Sequence, residues 1–173
     1  EVSVPLALWR IKADAYWSPD GLLPSRRALG RFGRGGLPMA ATVHDLNFVH
    51  QPEGIPKAVG SYYRRVVARS AVEANALLTV SETTRADLIK TYPLGGKKIT
   101  LASNAPQQNF TPKPEVGYAA RQRWAGGLPY FLFVGAFTPR KNIATLLRAF
   151  EQHQARNPER REALVLGGNP LHR

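Results

Sequence analysis

The chain has 173 residues, 43% of them hydrophobic, with 15 Gly and 14 Pro, a globular composition long enough for one large domain or two small ones. It carries no cysteine, which excludes disulfides and thiolate metal sites and fits a reducing cytosol. Lys and Arg number 24 against 12 Asp and Glu, a net charge of +12, which suits anionic partners in general: nucleotide diphosphates, anionic lipid headgroups or nucleic acid.

The charge is not gathered in a tail. Residues 1–112 hold 14 basic and 8 acidic side chains, and residues 113–173 hold 10 and 4. No apolar run approaches the roughly 20 residues that a membrane-spanning helix needs, and no signal-peptide pattern opens the chain. Because the sequence begins at Glu1 and stops at Leu171-His172-Arg173, just after an apolar run, it reads as a piece of something longer.

In chain order, Val4, Leu6, Leu8, Trp9 and Ile11 read as the end of a helix, and Ala13 to Trp17 as a short strand closed by Ser18-Pro19-Asp20-Gly21, a strong turn signal. Residues 24–38 place Arg26, Arg27, Arg31 and Arg34 among Gly30, Gly33, Gly35 and Gly36. With few repeats and no aromatic ladder, this is expected to be a flexible basic loop rather than an Arg-Gly nucleic-acid segment. Met39 to Val43 reads as a second strand, which delivers His44-Asp45 at its C-terminal end. In open parallel sheets that end is where ligands bind.

Residues 57–74 carry Val59, Tyr62, Tyr63, Val66, Val67 and Ala71 at helical spacing, with Arg64, Arg65 and Arg69 between them. The arginines are expected to be solvated on a surface helix, the alternative being contact with anionic lipids. Ala76 to Val80 reads as a buried strand, with Ser81 as N-cap of a helix over 82–92. Lys98 to Ala102 is the next strand. The polar, proline-bearing segment 104–114 is the best candidate linker, and residues 115–125 form a helix ending at Gly126-Gly127.

Tyr130 to Val134 reads as a buried strand ended by Gly135, after which Thr138-Pro139-Arg140-Lys141-Asn142 makes a polar turn. Ile143, Leu146, Leu147 and Phe150 then fall on one helix face, with Asn142 at the N-cap position. A strand that ends at a helix N-terminus presents free backbone N–H groups and the positive end of a dipole, and so receives phosphate well. Lys141 adds a mobile charge there. Ala163 to Leu166 forms a last strand closed by Gly167-Gly168-Asn169-Pro170. Short strands alternating with helices imply parallel sheets covered by helices, an α/β fold divided by the linker near residue 112.

Several of these segments resemble family 4 glycosyltransferases, retaining sugar transferases of the GT-B fold. GAFTPRKNIATLLRAF is similar to the opening of their C-terminal domain, and Asp14, Trp17-Ser18-Pro19 and Thr42-Val43-His44-Asp45-Leu46 follow the order of their N-terminal domain. TVSETTRADLI is similar to their Val-Ser-x-x-Ser/Thr-x-x-Asp-Leu-Ile element, and Asn104 to Pro112 to their interdomain crossing, with Ala105 and Pro106 in place of glycine and valine. The resemblance implies Rossmann-like domains of a GT-B architecture, incomplete at both ends. Residues 1–112 would be the latter part of the acceptor-side domain and residues 113–173 the start of the donor-side domain.

The resemblance also implies roles. His44 is the candidate catalytic residue, hydrogen-bonding the sugar or the donor phosphate rather than attacking as a nucleophile. Lys141, with Arg140 and Gly135, is the candidate binder of the donor diphosphate. The arginine that many members carry after the glycine is Ala136 here, so either Arg140 substitutes for it or the diphosphate is held differently. Asp45 and Asn104 are expected to line the cleft, which domain closure would form between His44 and Lys141. No metal and no cofactor is expected, since no Asp-x-Asp or His-rich cluster is present.

The expected partners are a nucleotide-sugar donor and a glycan or lipid-linked acceptor, in the cytoplasm or peripherally at the inner face of an anionic membrane. The family's glycine-rich loop would precede Glu1 and its Glu-x7-Glu element would follow Arg173. Glu151 and Glu159 share that spacing but sit on the first helix and its exit at Asn157-Pro158, and are set aside. The isolated chain is therefore expected to be inactive. The competing readings are a basic, non-enzymatic nucleic-acid-binding module, which the lack of a helix-turn-helix, RRM or zinc pattern argues against, and an inactive truncated relative.

Overall fold

The structure, a computed structural model, describes residues 2–108 and 110–168. Asn109 of the linker, the expected turn at Asn169-Pro170 and the terminal Leu171-His172-Arg173 lie outside the described residues. The chain folds as two compact units that divide between Ala105 and Pro106, within the segment 104–114.

The first unit is built on four parallel strands in the order β1-β2-β3-β4: β1 (Tyr16–Ser18), β2 (Met39–Val43), β3 (Ala76–Thr79) and β4 (Ile99–Leu101). Tyr16 pairs with Met39, Ala40 with Ala76 and Leu77 with Ile99. Five helices belong to this unit: α1 (Ser3–Arg10), α2 (Arg26–Gly30), α3 (Asn47–His50), α4 (Lys57–Glu73) and α5 (Glu82–Thr91). Strand β2, with a neighbour on each side, is the most buried, and Met39, Ala41 and Val43 are 4% exposed or less. They join Leu29, Val67, Ala71, Leu77 and Leu88 in one apolar core. Each large apolar side chain so covered contributes about 1.5–3 kcal/mol of burial free energy.

Local chemistry sets the ends of these elements. Ser81 caps α5 as expected, its Oγ accepting from the Thr84 N–H at 3.1 Å. Helix α1 closes without glycine: the Ala13 N–H bonds the Leu8 carbonyl and the Lys12 N–H that of Trp9, a Schellman arrangement that puts Lys12 at φ 52°. This closure uses residues through Ala13, so the strand expected from Ala13 begins only at Tyr16.

The segment 24–38 is not a flexible loop. It holds α2, capped by Ser25, and Arg26 is sewn into its surroundings, donating to the carbonyls of Gly35, Leu37 and Glu73 and to Asn75 Oδ1. On α4, Arg64 and Arg69 are likewise not simply solvated. Arg64 donates to the Phe48 carbonyl at 3.0 Å and Arg69 to that of Leu23 at 2.8 Å, which ties the helix to α3 and to the loop before α2. These three arginines are therefore engaged by the chain itself.

The second unit contains α6 (Gly117–Ala125), β5 (Tyr130–Val134), α7 (Ile143–Arg156) and β6 (Ala163–Gly167), with a 3-10 turn at Pro114–Val116 and another at Pro139–Lys141. β5 and β6 pair in parallel, from Tyr130 against Ala163 to Val134 against Gly167. The expectation of a buried β5 is corrected: Phe131, Leu132 and Val134 are 50%, 58% and 74% exposed. Among the described residues β5 has one strand neighbour, β6. Phe131 lies against Phe150 and His153 of α7, while alternation sends Leu132 and Val134 to the other face.

Candidate functional site

In the first unit, β2 carries His44 and Asp45 just beyond its C-terminal end, and both are exposed. The ring of His44 is held, with Nε2 2.8 Å from the carbonyl oxygen of Pro19, in the turn that follows β1. A carbonyl only accepts, so Nε2 carries the proton and Nδ1 is the ring atom left for a ligand. Asp45 is spent on the chain itself: Oδ1 accepts from the Asn47 N–H at 3.0 Å and Oδ2 from Asn47 Nδ2 at 2.9 Å, which starts α3. Asn104 is exposed beyond the C-terminal end of β4. All three thus stand at the same edge of the sheet, with β3 between the strands that carry them.

Residues not foreseen from the sequence complete this edge. Thr84, 8% exposed, donates from Oγ1 to the His44 carbonyl at 3.0 Å, and Trp17 Nε1 donates to Thr42 Oγ1 at 3.0 Å, joining β1 to β2. At the opposite edge, before the N-terminal ends of β3 and β4, Lys97 Nζ reaches the carbonyls of Ala71, Val72 and Ala74 at the C-terminus of α4. Helix α4 has no basic residue in its own last turn, so Lys97 and Arg26 meet its negative end from outside. Burial, and then the nearby Arg26 charge, hold the Lys97 ammonium below its usual range.

A cleft of about 410 Å³ is lined by Tyr16, Asp20, Leu22, Tyr62 and Val66 among others, and does not include His44. Burial, and secondarily Asp20, raise the Tyr16 phenol above its ordinary value.

In the second unit, β5 ends at Gly135, whose N–H bonds the Gly167 carbonyl at 2.9 Å. The chain then makes the 3-10 turn Pro139–Lys141 and enters α7. Asn142 occupies the expected cap position but does not cap. Its backbone is left-handed (φ 49°, ψ 46°), where a capping residue is extended, and its side chain makes no capping bond; its N–H closes the 3-10 turn on Pro139 and its carbonyl receives Thr145 and Leu146. The first N–H groups of α7 are thus left without a side-chain cap.

Arg140 and Lys141 are exposed beside that helix start. Lys141 Cε comes within 4.0 Å of where a Cβ on Gly135 would sit, so the two expected diphosphate residues are brought together. At Gly168 a Cβ would fall 1.8 Å from the Gly135 carbonyl oxygen, so only glycine allows the two strand ends this close.

The fold and these strand-end constellations define a protein of Rossmann-like parallel α/β units of the GT-B class. The family model of Glycosyltransferase Family 4 matches residues 10–105, and the chain belongs to that family. It is 30% identical over 152 residues to the O-antigen chain mannosyltransferase B of Escherichia coli, a match covering 84% of this chain and 36% of that protein. It is 31% identical over 108 residues to the O-antigen chain mannosyltransferase RfbU of Salmonella typhimurium, covering 62% of this chain and 27% of that protein. The chain therefore spans about a third of the length of the curated relatives it matches.

Proposed function

We propose that the protein carrying this chain transfers a hexose from a nucleotide diphosphate sugar to a glycan, lipid-linked or polysaccharide-precursor acceptor, with retention of anomeric configuration and without a metal ion. The observation that carries this reading is the turn after β5, where Lys141 folds over Gly135 beside the uncapped start of α7. As the donor bond breaks, charge builds on the leaving diphosphate, and preorganised donors placed at that charge lower the barrier. Lys141, Arg140 and the helix N–H groups are such donors. In the first unit His44 offers Nδ1 as a fixed acceptor for a sugar hydroxyl, since its other nitrogen is engaged by Pro19. Mannose is the first sugar to try, because both relatives are mannosyltransferases.

Peripheral contact with an anionic membrane belongs to the same reading. No helix among the described residues is long and apolar enough to cross a membrane. The exposed Arg10, Lys12, Arg27 and Arg31 accompany the half-exposed Trp9, a mixture suited to lipid headgroups. The reading is tested by incubating the protein that carries this chain with a panel of nucleotide diphosphate sugars and acceptors, with and without EDTA, and following the anomeric proton of the product by NMR. Transfer with retention that survives EDTA is expected. An inverted product or a strict need for a divalent ion overturns the proposed mechanism.

A further inference from the structure

We propose that Thr84 is a positioning residue for His44, locking its imidazole in the tautomer that presents Nδ1 to the ligand. This inference rests on the reading of His44 as a ligand-contacting group, and its structural half can be tested without that reading.

Proton accounting fixes the direction of each bond in this cluster. The His44 carbonyl only accepts, so the single hydroxyl proton of Thr84 is committed to it at 3.0 Å. The contact of 3.0 Å between the hydroxyls of Ser81 and Thr84 must then be a donation from Ser81. Ser81 Oγ in turn accepts the Thr84 N–H at 3.1 Å. Each hydroxyl donates once, and the chain from Ser81 through Thr84 to His44 closes without an unused proton. It runs from the start of α5 to the end of β2, and Thr84 is buried.

The choice of residue supports a role beyond capping. With Ser81 at the N-cap, Thr84 is the third residue of the helix, where Glu or Gln would best complete the cap by reaching back to the N-cap N–H. Thr84 instead sends its hydroxyl across to the neighbouring strand end. On the other flank, His44 Nε2 meets the Pro19 carbonyl. His44 is thus held through its backbone from the β3–α5 side and through its ring from the β1 side. Once the backbone tie is released, the 2.8 Å ring contact is no longer enforced, and the Nε2–H tautomer loses its preference.

The test uses ¹⁵N-labelled chain and the ring nitrogen shifts of His44, read in wild type, Thr84→Val and Thr84→Ser. Wild type and Thr84→Ser are expected to hold one tautomer, protonated at Nε2. Thr84→Val, which keeps the shape and loses the hydroxyl, is expected to show both tautomers in exchange. An independent measurement needs no variant: the Thr84 hydroxyl proton is expected to be protected from exchange and to show a nuclear Overhauser contact with the backbone at His44. A Thr84→Val ring that stays in one tautomer, or an unprotected wild-type hydroxyl, overturns the proposal.

In the protein that carries this chain, Thr84→Val is expected to lower kcat about tenfold with little change in KM, and Thr84→Ser to restore it. If the tautomer responds but His44→Ala leaves sugar transfer unchanged, the reading of His44 falls while the positioning stands.

Discussion

The imidazole Nε2 of His44 lies 2.8 Å from the carbonyl oxygen of Pro19, a contact that, on the proposed reading, leaves Nδ1 to meet the donor. A histidine that met its ligand through Nε2 would have to break it. Replacing His44 by Ala in the protein that carries this chain is therefore expected to lower kcat for sugar transfer by about 10²-fold, while His44→Asn, whose amide places an oxygen near the position of Nδ1, retains more activity than Ala. Steady-state kinetics with saturating donor checks the order of the three proteins. Equal rates for the alanine variant and wild type would remove His44 from the mechanism.

A second expectation concerns the closure of α1. Lys12 holds a left-handed backbone at φ 52° in a closing arrangement that glycine enters without a Cβ penalty. Lys12→Gly is expected to stabilise the first unit by about 0.5–1 kcal/mol, the left-handed strain exceeding the added freedom of the unfolded chain. Urea unfolding of the two proteins, compared at equal slope, measures it. A loss of stability would mean that the lysine side chain contributes more than its backbone costs.

The hydroxyl of Tyr92 is buried without a hydrogen-bond partner among the described residues. Burial, and secondarily the Asp87 carboxylate, raise its phenol above the ordinary value. The folded state thus holds its proton more tightly than the unfolded one, so this contribution is intact below the unfolded value near about 10. It declines as pH rises from there toward the raised folded value. Tyr92→Phe is expected to leave neutral-pH stability unchanged or raise it by about 1 kcal/mol, and to flatten the alkaline decline. Thermal unfolding of both proteins from pH 8 to pH 11 follows the difference.

What could be read from the sequence was what local chemistry decides. Strand β2 announced itself by an apolar run, α4 by its spacing, and α5 by Ser81, because a cap and its N–H lie three residues apart. The pairing of Gly135 with Lys141 was legible for the same reason, as both belong to one strand, turn and helix.

The ties that cross the fold were not legible. Lys97 and Arg26 serve the end of a helix far from them in sequence, and Arg64 and Arg69 read as solvent-facing until the carbonyls of Phe48 and Leu23 are placed beside them. The failure of Asn142 to cap came with the 3-10 turn ahead of it, at whose end its backbone is left-handed rather than extended. The exposure of β5 goes with its having one strand partner among the described residues, which the apolar sequence of the strand itself does not reveal. The bond from Thr84 to the His44 carbonyl likewise crosses from α5 to the end of β2, and the local cap pattern does not announce it.

The most direct test of the central claim is the rate of sugar transfer by Lys141→Ala in the protein that carries this chain, measured at saturating donor beside Arg140→Ala and wild type. Lys141 is exposed, so its removal is expected to leave the fold intact while kcat falls by about 10²–10³-fold, the loss typical when one preorganised donor to developing charge is deleted. Arg140→Ala is expected to fall less. Unchanged turnover in Lys141→Ala, with the fold preserved, would contradict the assignment of the turn after β5 to the leaving diphosphate.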